Sequence, residues 1–214
     1  MTLFRVDASI LPGSSASSEL ADLVEAEWSA ARPGDPVVRR HLGTHPLPSD
    51  AWASATTAGF VPEPDRTAAQ REALALAAGL ASELAEADAV LLAVPLYNYG
   101  VAQNFKSWID LVITGAGTGV PVLKGKPTVL ATVRGGGYGP GTPKEGWDHS
   151  TPYLRRILGD LWEADLTVVE RELTLVGVNP ALDGLRDVAA GAHAEARRAA
   201  HEAGRSLAAL PLAA

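Results

Sequence analysis

Three short stretches of this chain carry residues that could do chemistry. Residues 8–18, ASILPGSSASS, crowd hydroxyls at Ser9, Ser14, Ser15, Ser17 and Ser18 ahead of a helical pattern. Amides at a helix N-terminus, with the dipole behind them, favour an anion, so this stretch can hold one phosphate. It has neither the Walker lysine pattern nor GxGxxG, which argues against a nucleoside triphosphate or a dinucleotide pyrophosphate held in the usual way. Read alone, the serines are helix caps before they are a phosphate site. Residues 95–100, PLYNYG, place Tyr97 and Tyr99 around Asn98 where an ordinary connection would use Gly, Asp and Ser. Flat rings beside a group that both donates and accepts suit a planar heterocycle with polar edges. Residues 134–143, RGGGYGPGTP, offer Gly135, Gly136 and Gly137 for close backbone approach, bordered by Arg134 and Tyr138.

Other residues read more simply. His41 and His45 stand four apart, but Gly43 and Pro46 disfavour the helix that would make them metal ligands. His149 follows KEGWD and is a surface histidine at a helix start before it is a substrate contact. Trp108 belongs to an apolar helix face, and Lys106 and Asp110 form a solvated pair on the other side. Glu25, Glu27 and the charges of the last helix are solvated faces. No side chain is assigned a catalytic proton transfer, and no metal is expected.

The elements that must position these stretches follow from periodicity. Residues 2–7 read as a strand, and apolar Leu20, Leu23, Val24 and Trp28 recur at helical spacing after the serines. Residues 36–42 make a weaker strand, and the Pro- and Ala-rich segment 44–64 reads as a surface excursion. Thr67 and Gln70 are spaced for a capping box heading a helix to about Glu86, with Ala73, Leu76, Leu80 and Leu84 on one face. AVLLAV, residues 89–94, is a strand buried on both faces. Val101, Phe105, Trp108, Ile109 and Val112 mark the next helix. PTVLATV, residues 127–133, a helix over 150–159, a strand over 166–173 and a helix over 182–207 complete the pattern. Alternating apolar strands and helices predict an α/β fold, a five-stranded parallel sheet with helices on both faces, wound as in flavodoxin. All three chemical stretches then follow strands and meet at the carboxyl edge of one sheet, where such folds bind ligands. A hydroxyl-rich cradle, an aromatic wall and a glycine floor at that edge describe a site for flavin mononucleotide (FMN).

Composition bounds the alternatives. A chain of 214 residues, 47% hydrophobic and 20% charged, suits one domain over 1–214. Net charge −7 and a pI near 5.2 supply no broad positive field for nucleic acid or anionic lipid. With no cysteine, redox chemistry must come from a bound cofactor. The opening lacks the pattern of a secretory signal, and no apolar run approaches the roughly 18 residues of a membrane span, so a soluble cytoplasmic protein is expected.

At these residues the sequence resembles the FMN-dependent NADH azoreductases, relatives of the NAD(P)H quinone dehydrogenases of flavodoxin-like fold. SILPGSSAS resembles the family's phosphate loop, with Ser9, Ser15 and Ser17 matching and Ala16 in place of a frequent glutamine. PLYNY is similar to the family's P-M-Y-N-F, and FKSWIDLV to the helix after it. Arg134, Gly135 and Gly136 match its arginine and paired glycines, Val133 replaces a frequent serine, and TPYLRRILG resembles its later helix. The segment between Val112 and Gly125 is shorter than in many relatives and lacks an aromatic cover. Asp160 stands where many carry an aromatic residue, with Trp162 two positions on.

The resemblance implies a cofactor site of Ser9, Ser15, Ala16, Ser17, Leu96, Tyr97, Asn98, Tyr99, Val133, Arg134, Gly135 and Gly136. It implies a ping-pong cycle in which NADH or NADPH reduces FMN and a quinone, azo or other aromatic acceptor reoxidises it, with the pocket completed across a homodimer interface. Arg134 is a candidate to select a cofactor phosphate. Two other readings stay open: a reductase dedicated to one polycyclic or quinonoid biosynthetic intermediate, and a flavodoxin-type electron-transfer module without enzymatic activity.

Overall fold

A computed structural model describes residues 1–209, so the last five positions of the expected 1–214 domain lie outside the described residues. The strands are β1 (Leu3–Asp7), β2 (Val37–His41), β3 (Ala89–Tyr97), β4 (Gly100–Val101), β5 (Pro127–Val133) and β6 (Asp165–Arg171). The helices are α1 (Ala16–Ala31), α2 (Ala51–Ala58), α3 (Ala68–Glu86), α4 (Gln103–Ala116), α5 (Thr151–Arg155) and α6 (Arg186–Ala208). Five strands pair in parallel in the order β2-β1-β3-β5-β6, the expected flavodoxin-like winding, with the direction of winding reversing between β1 and β3. The sixth, β4, pairs antiparallel with the end of β3.

Alternation along the strands sorts the core into two layers. Phe4, Val6, Val90, Leu92, Val94 and Leu130 face α3 and α4. Leu3, Leu91, Ala93, Val129 and Ala131 face α1 and α6. On the first side Trp108 stacks on Phe105 at 5.1 Å between ring centres and meets the edge of Trp162 at 5.9 Å. Trp162 is therefore core, while Asp160 pairs with Arg156 at the surface. On the second side small residues bring α6 close to α1; a Cβ on Gly204 would lie 2.7 Å from the Val24 carbonyl oxygen.

Charge also fixes α1. Arg5, buried on β1, gives two hydrogen bonds to Asp7 at 2.7 and 2.9 Å and reaches Asp22 at 2.6 Å and Glu25 at 3.1 Å on the helix above. Desolvation opposes the charge on Arg5, yet the carboxylates outweigh it and raise its pKa.

The excursion 44–64 is more than a loop: it contains α2, whose Ala51, Ala55 and Ala58 are buried. Its Pro- and Ala-rich composition hides a helix that uses a small-residue face to approach α3. The capping box forms as expected, Thr67 accepting from the Gln70 amide and Gln70 from the Thr67 amide. The helix expected over 150–159 divides into α5 and a π-helical segment, Arg156–Leu161. The last helix begins later than expected, at Arg186, after a 3₁₀ segment, Pro180–Leu185.

Close packing of α3 on α4 makes Gly115 a sharp probe, because a Cβ there would lie 2.0 Å from the Ala77 carbonyl oxygen. Gly115→Ala is expected to lower stability by about 1–3 kcal/mol, seen as a reduced urea midpoint with little change in slope. An unchanged midpoint would contradict this packing.

Candidate functional site

The first loop leaves β1 with Ala8 donating to the Ala93 carbonyl of β3 at 2.9 Å. Its first half is gathered around one phenol. Tyr97 Oη lies 3.1 Å from Ser9 Oγ and accepts from the Ile10 amide at 3.2 Å, while Ser9 Oγ accepts from Leu11 at 3.1 Å. Its second half forms the cap of α1: Ser15 Oγ accepts from the Ser18 amide at 3.2 Å and lies 3.0 Å from Ser17 Oγ. Ser18 Oγ donates to Asp7 at 2.7 Å, so the Arg5 network holds the loop as well as the helix. The amides of Ala16 and Ser17 open the helix and have no acceptor within it.

The PLYNYG segment is a hairpin. Leu96 pairs with Val101 and Tyr97 with Gly100, leaving Asn98 and Tyr99 as a two-residue turn. Both have positive φ, 48° and 67°. Asn tolerates this conformation, whereas a tyrosine there costs on the order of 1 kcal/mol. The surroundings hold it: the Tyr99 carbonyl accepts from the His149 amide at 2.9 Å, and its ring packs edge-on with Trp147 at 5.5 Å and beside Tyr138 at 6.4 Å. The two tyrosines thus differ. Tyr97 ties the first loop down, and Tyr99, 41% exposed, presents its ring outward.

The glycine loop is fixed from behind. The carbonyls of Gly135 and Gly136 accept from the Leu175 and Leu173 amides at 3.0 and 3.1 Å. Their own amides have no acceptor among the described residues. Arg134 does not face this opening. It is 7% exposed, and its guanidinium donates to Asp148 at 2.5 Å, Glu170 at 2.8 Å, Thr151 at 3.1 Å and Glu172 at 3.3 Å. Its backbone is also engaged, the amide with the Arg171 carbonyl and the carbonyl with Thr174. The side chain suggested as a phosphate selector is instead a brace, because three carboxylates from elsewhere in the chain surround it.

These contacts set the electrostatics. Burial alone would raise the Asp148 pKa, but the Thr151 amide and hydroxyl together with Arg134 hold it below its ordinary 3.8. Glu19, in the first turn of α1, receives His193 at 2.7 Å, Arg171 at 2.9 Å and Arg197 at 3.0 Å. Desolvation opposes them, and they still hold its carboxyl below 4.5.

Two cavities flank the loops. One of about 500 Å³ runs from Gly13, Ser15 and Ala16 to Arg171 and Thr174. The other, about 770 Å³, lies beyond Tyr97 and is lined by Ile10, Leu47, Asn98 and Asn104. Among the expected site residues, the structure brings Ser9 against Tyr97 and Ser15 against Ser17, and Leu96 to Tyr99 form the hairpin between the loops. Val133 is buried at the end of β5, directly before the brace. His41 Nδ1 accepts from the amides of Gly43 and Thr44, and His45 Nδ1 pairs with the Thr44 hydroxyl, so each imidazole serves its own turn.

Sequence reasoning passed over Gly43, where a Cβ would fall 1.9 Å from the Ser9 carbonyl oxygen, and Arg171 and Thr174 across the first cavity. A glycine two residues past β2 was the signal for Gly43. Nothing in local spacing marks the other two.

A chain with this winding and these edge loops belongs to the flavodoxin-like fold family, whose profile it matches over residues 1–202. It is 40% identical over 203 residues to an FMN-dependent NADH:quinone oxidoreductase of Frankia casuarinae, covering 92% of this chain and 96% of that one. A protein of the same description from Frankia alni is 40% identical over 208 residues, covering 92% and 98%. In shape the chain is similar to an azoreductase from Bacillus anthracis, with a TM-score of 0.77 at 23% identity over 96% of this chain and 99% of that one.

Asp148 and Glu19 have folded pKa values below their unfolded ones. Each therefore contributes stability that is full above its unfolded value, 3.8 or 4.5, and is lost as pH falls through the folded value. Unfolding free energy from urea titrations is expected to decline below about pH 4.5. Asp148→Asn should cost about 1.5–3 kcal/mol at pH 7 and less in acid; an equal loss at both pH values would contradict the assignment.

Proposed function

We propose that this chain binds FMN at the carboxyl ends of β1, β3 and β5 and uses it to carry electrons from NADH or NADPH to quinone or azo acceptors in a ping-pong cycle. One observation carries the reading: the amides of Ala16 and Ser17 and those of Gly135 and Gly136, without an acceptor among the described residues, come from two loops at the same sheet edge, with the Leu96–Tyr99 hairpin between them. The first pair fits a phosphate and the second the polar edge of a flat ring, so the donor set fits FMN. The Frankia relatives, FMN-dependent NADH:quinone oxidoreductases, support the same assignment.

In this reading Ser9, Ser15, Ala16 and Ser17 hold the phosphate. Leu96, Tyr97, Asn98 and Tyr99 wall the ring, and the backbone from Val133 through Arg134 to Gly135 and Gly136 borders its other edge. FMN, when bound, supplies the hydride acceptor and donor. The protein orients it, restricts water and meets its polar edge with fixed amides. Arg134 acts through the backbone it braces.

Trp52 and Phe60 are 49% and 85% exposed, and we take a homodimer to complete the pocket. Among the described residues no helix is long and apolar enough to cross a membrane. We take the chain as one flavin-binding domain acting in the cytoplasm, without nucleic acid or membrane as partner. The connection from α4 to β5 carries no aromatic residue, which favours an altered acceptor pocket and keeps a dedicated quinonoid substrate as the second reading.

Purified protein supplied with FMN should show flavin absorption that bleaches with anaerobic NADH and returns on adding a quinone. Failure to take up FMN would overturn the reading. Tyr97→Phe, which frees Ser9 and Ile10, should weaken FMN about fivefold, a loss of about 1 kcal/mol, and leave the urea midpoint nearly unchanged.

A further inference from the structure

Lys144 is a cation held, among the described residues, by aromatic rings and by no carboxylate. Its Nζ lies 5.4 Å from the centre of the Tyr99 ring and 5.3 Å from that of Tyr138, and no ion pair engages it among the described residues. The same Nζ would be 3.6 Å from a Cβ on Gly136, so the ammonium stands over the glycine loop. Aromatic faces attract a cation without neutralising it. The two buried arginines are surrounded by carboxylates, three at Arg5 and three at Arg134, and half-buried Lys126 donates to the Leu84 and Ala85 carbonyls. Lys144 stands without a carboxylate beside two amides that likewise have no acceptor among the described residues.

We infer that Lys144 is a redox-tuning residue that stabilises the negative charge the flavin ring gains on reduction. The inference rests on the FMN reading above. A hydride leaves the dihydronicotinamide by breaking its C–H bond, and an N–H bond forms on the ring. The nicotinamide is oxidised, and the ring gains two electrons and one proton. Until a second proton arrives it carries one added negative charge, which an ammonium and two amides at its edge stabilise more than they do the neutral oxidised ring. Tyr99 and Tyr138 pin the ammonium in place, giving a role to a tyrosine in a turn conformation that rarely accepts one.

The test compares wild type, Lys144→Met and Lys144→Arg by FMN titration, followed through fluorescence quenching, and by midpoint potential against a redox dye. Oxidised FMN should bind Lys144→Met with little change. Reduced FMN should lose about tenfold in relative affinity, a fall of about 30 mV in the two-electron potential. Lys144→Arg should restore the potential. Should Lys144→Met bind FMN with the wild-type potential, the inference is overturned while the FMN reading stands. Should wild type take up no FMN, both fall. Lys144→Gln serves in place of the Met variant if that one folds poorly.

Discussion

The brace at Arg134 is the constraint on which the site depends. One guanidinium, almost wholly buried, joins the end of β5 to Glu170 and Glu172 at the end of β6 and to Asp148 and Thr151 at the head of α5. Asp148 then accepts from the Ser150 and Thr151 amides and sets the start of α5. Next in line, His149 holds the Tyr99 carbonyl and so supports a turn that a tyrosine disfavours. Glu172 also accepts from the Tyr138 amide, which extends the control to the segment after the glycines. An arginine that looks like a ligand contact thus shapes two walls of the opening without facing it.

A second charge network does the equivalent work on the other side. Arg5 and Asp7 lie under α1, and Asp7 holds Ser18 three residues beyond the helix cap. Farther along, Glu19 and Glu27 of α1 meet His193 with Arg197 and His201 with Arg205 of α6, a repeat at eight-residue spacing. These pairs add register to an interface of small side chains that packs closely but specifies little by shape. Arg5 and Asp7 are buried, so removing one of them leaves an uncompensated charge, whereas the partly exposed pairs between α1 and α6 contribute little each.

Much of this was legible in the sequence where the signal was local. Continuous apolar runs marked β3 and β5, Thr67 and Gln70 marked a capping box, and the serines marked the start of α1. The edge loops were legible as chemistry because aromatics and glycines are unusual directly after buried strands. The hairpin was not, because its turn uses Asn-Tyr where Asn-Gly is the recognisable signal. Nor was the role of Arg134, since its carboxylate partners lie between 14 and 38 residues away and spacing is silent at that range. The helix α2 escaped because its buried face is alanine, which carries little hydrophobic contrast.

The central claim is that two sets of amides at one sheet edge, without an acceptor among the described residues, receive FMN. Amide exchange followed by NMR, with and without FMN, addresses it residue by residue. The account predicts slower exchange at Ala16, Ser17, Gly135 and Gly136 on adding FMN, and at only the two glycines on adding riboflavin, which lacks the phosphate. Binding that leaves these four amides unchanged would contradict it.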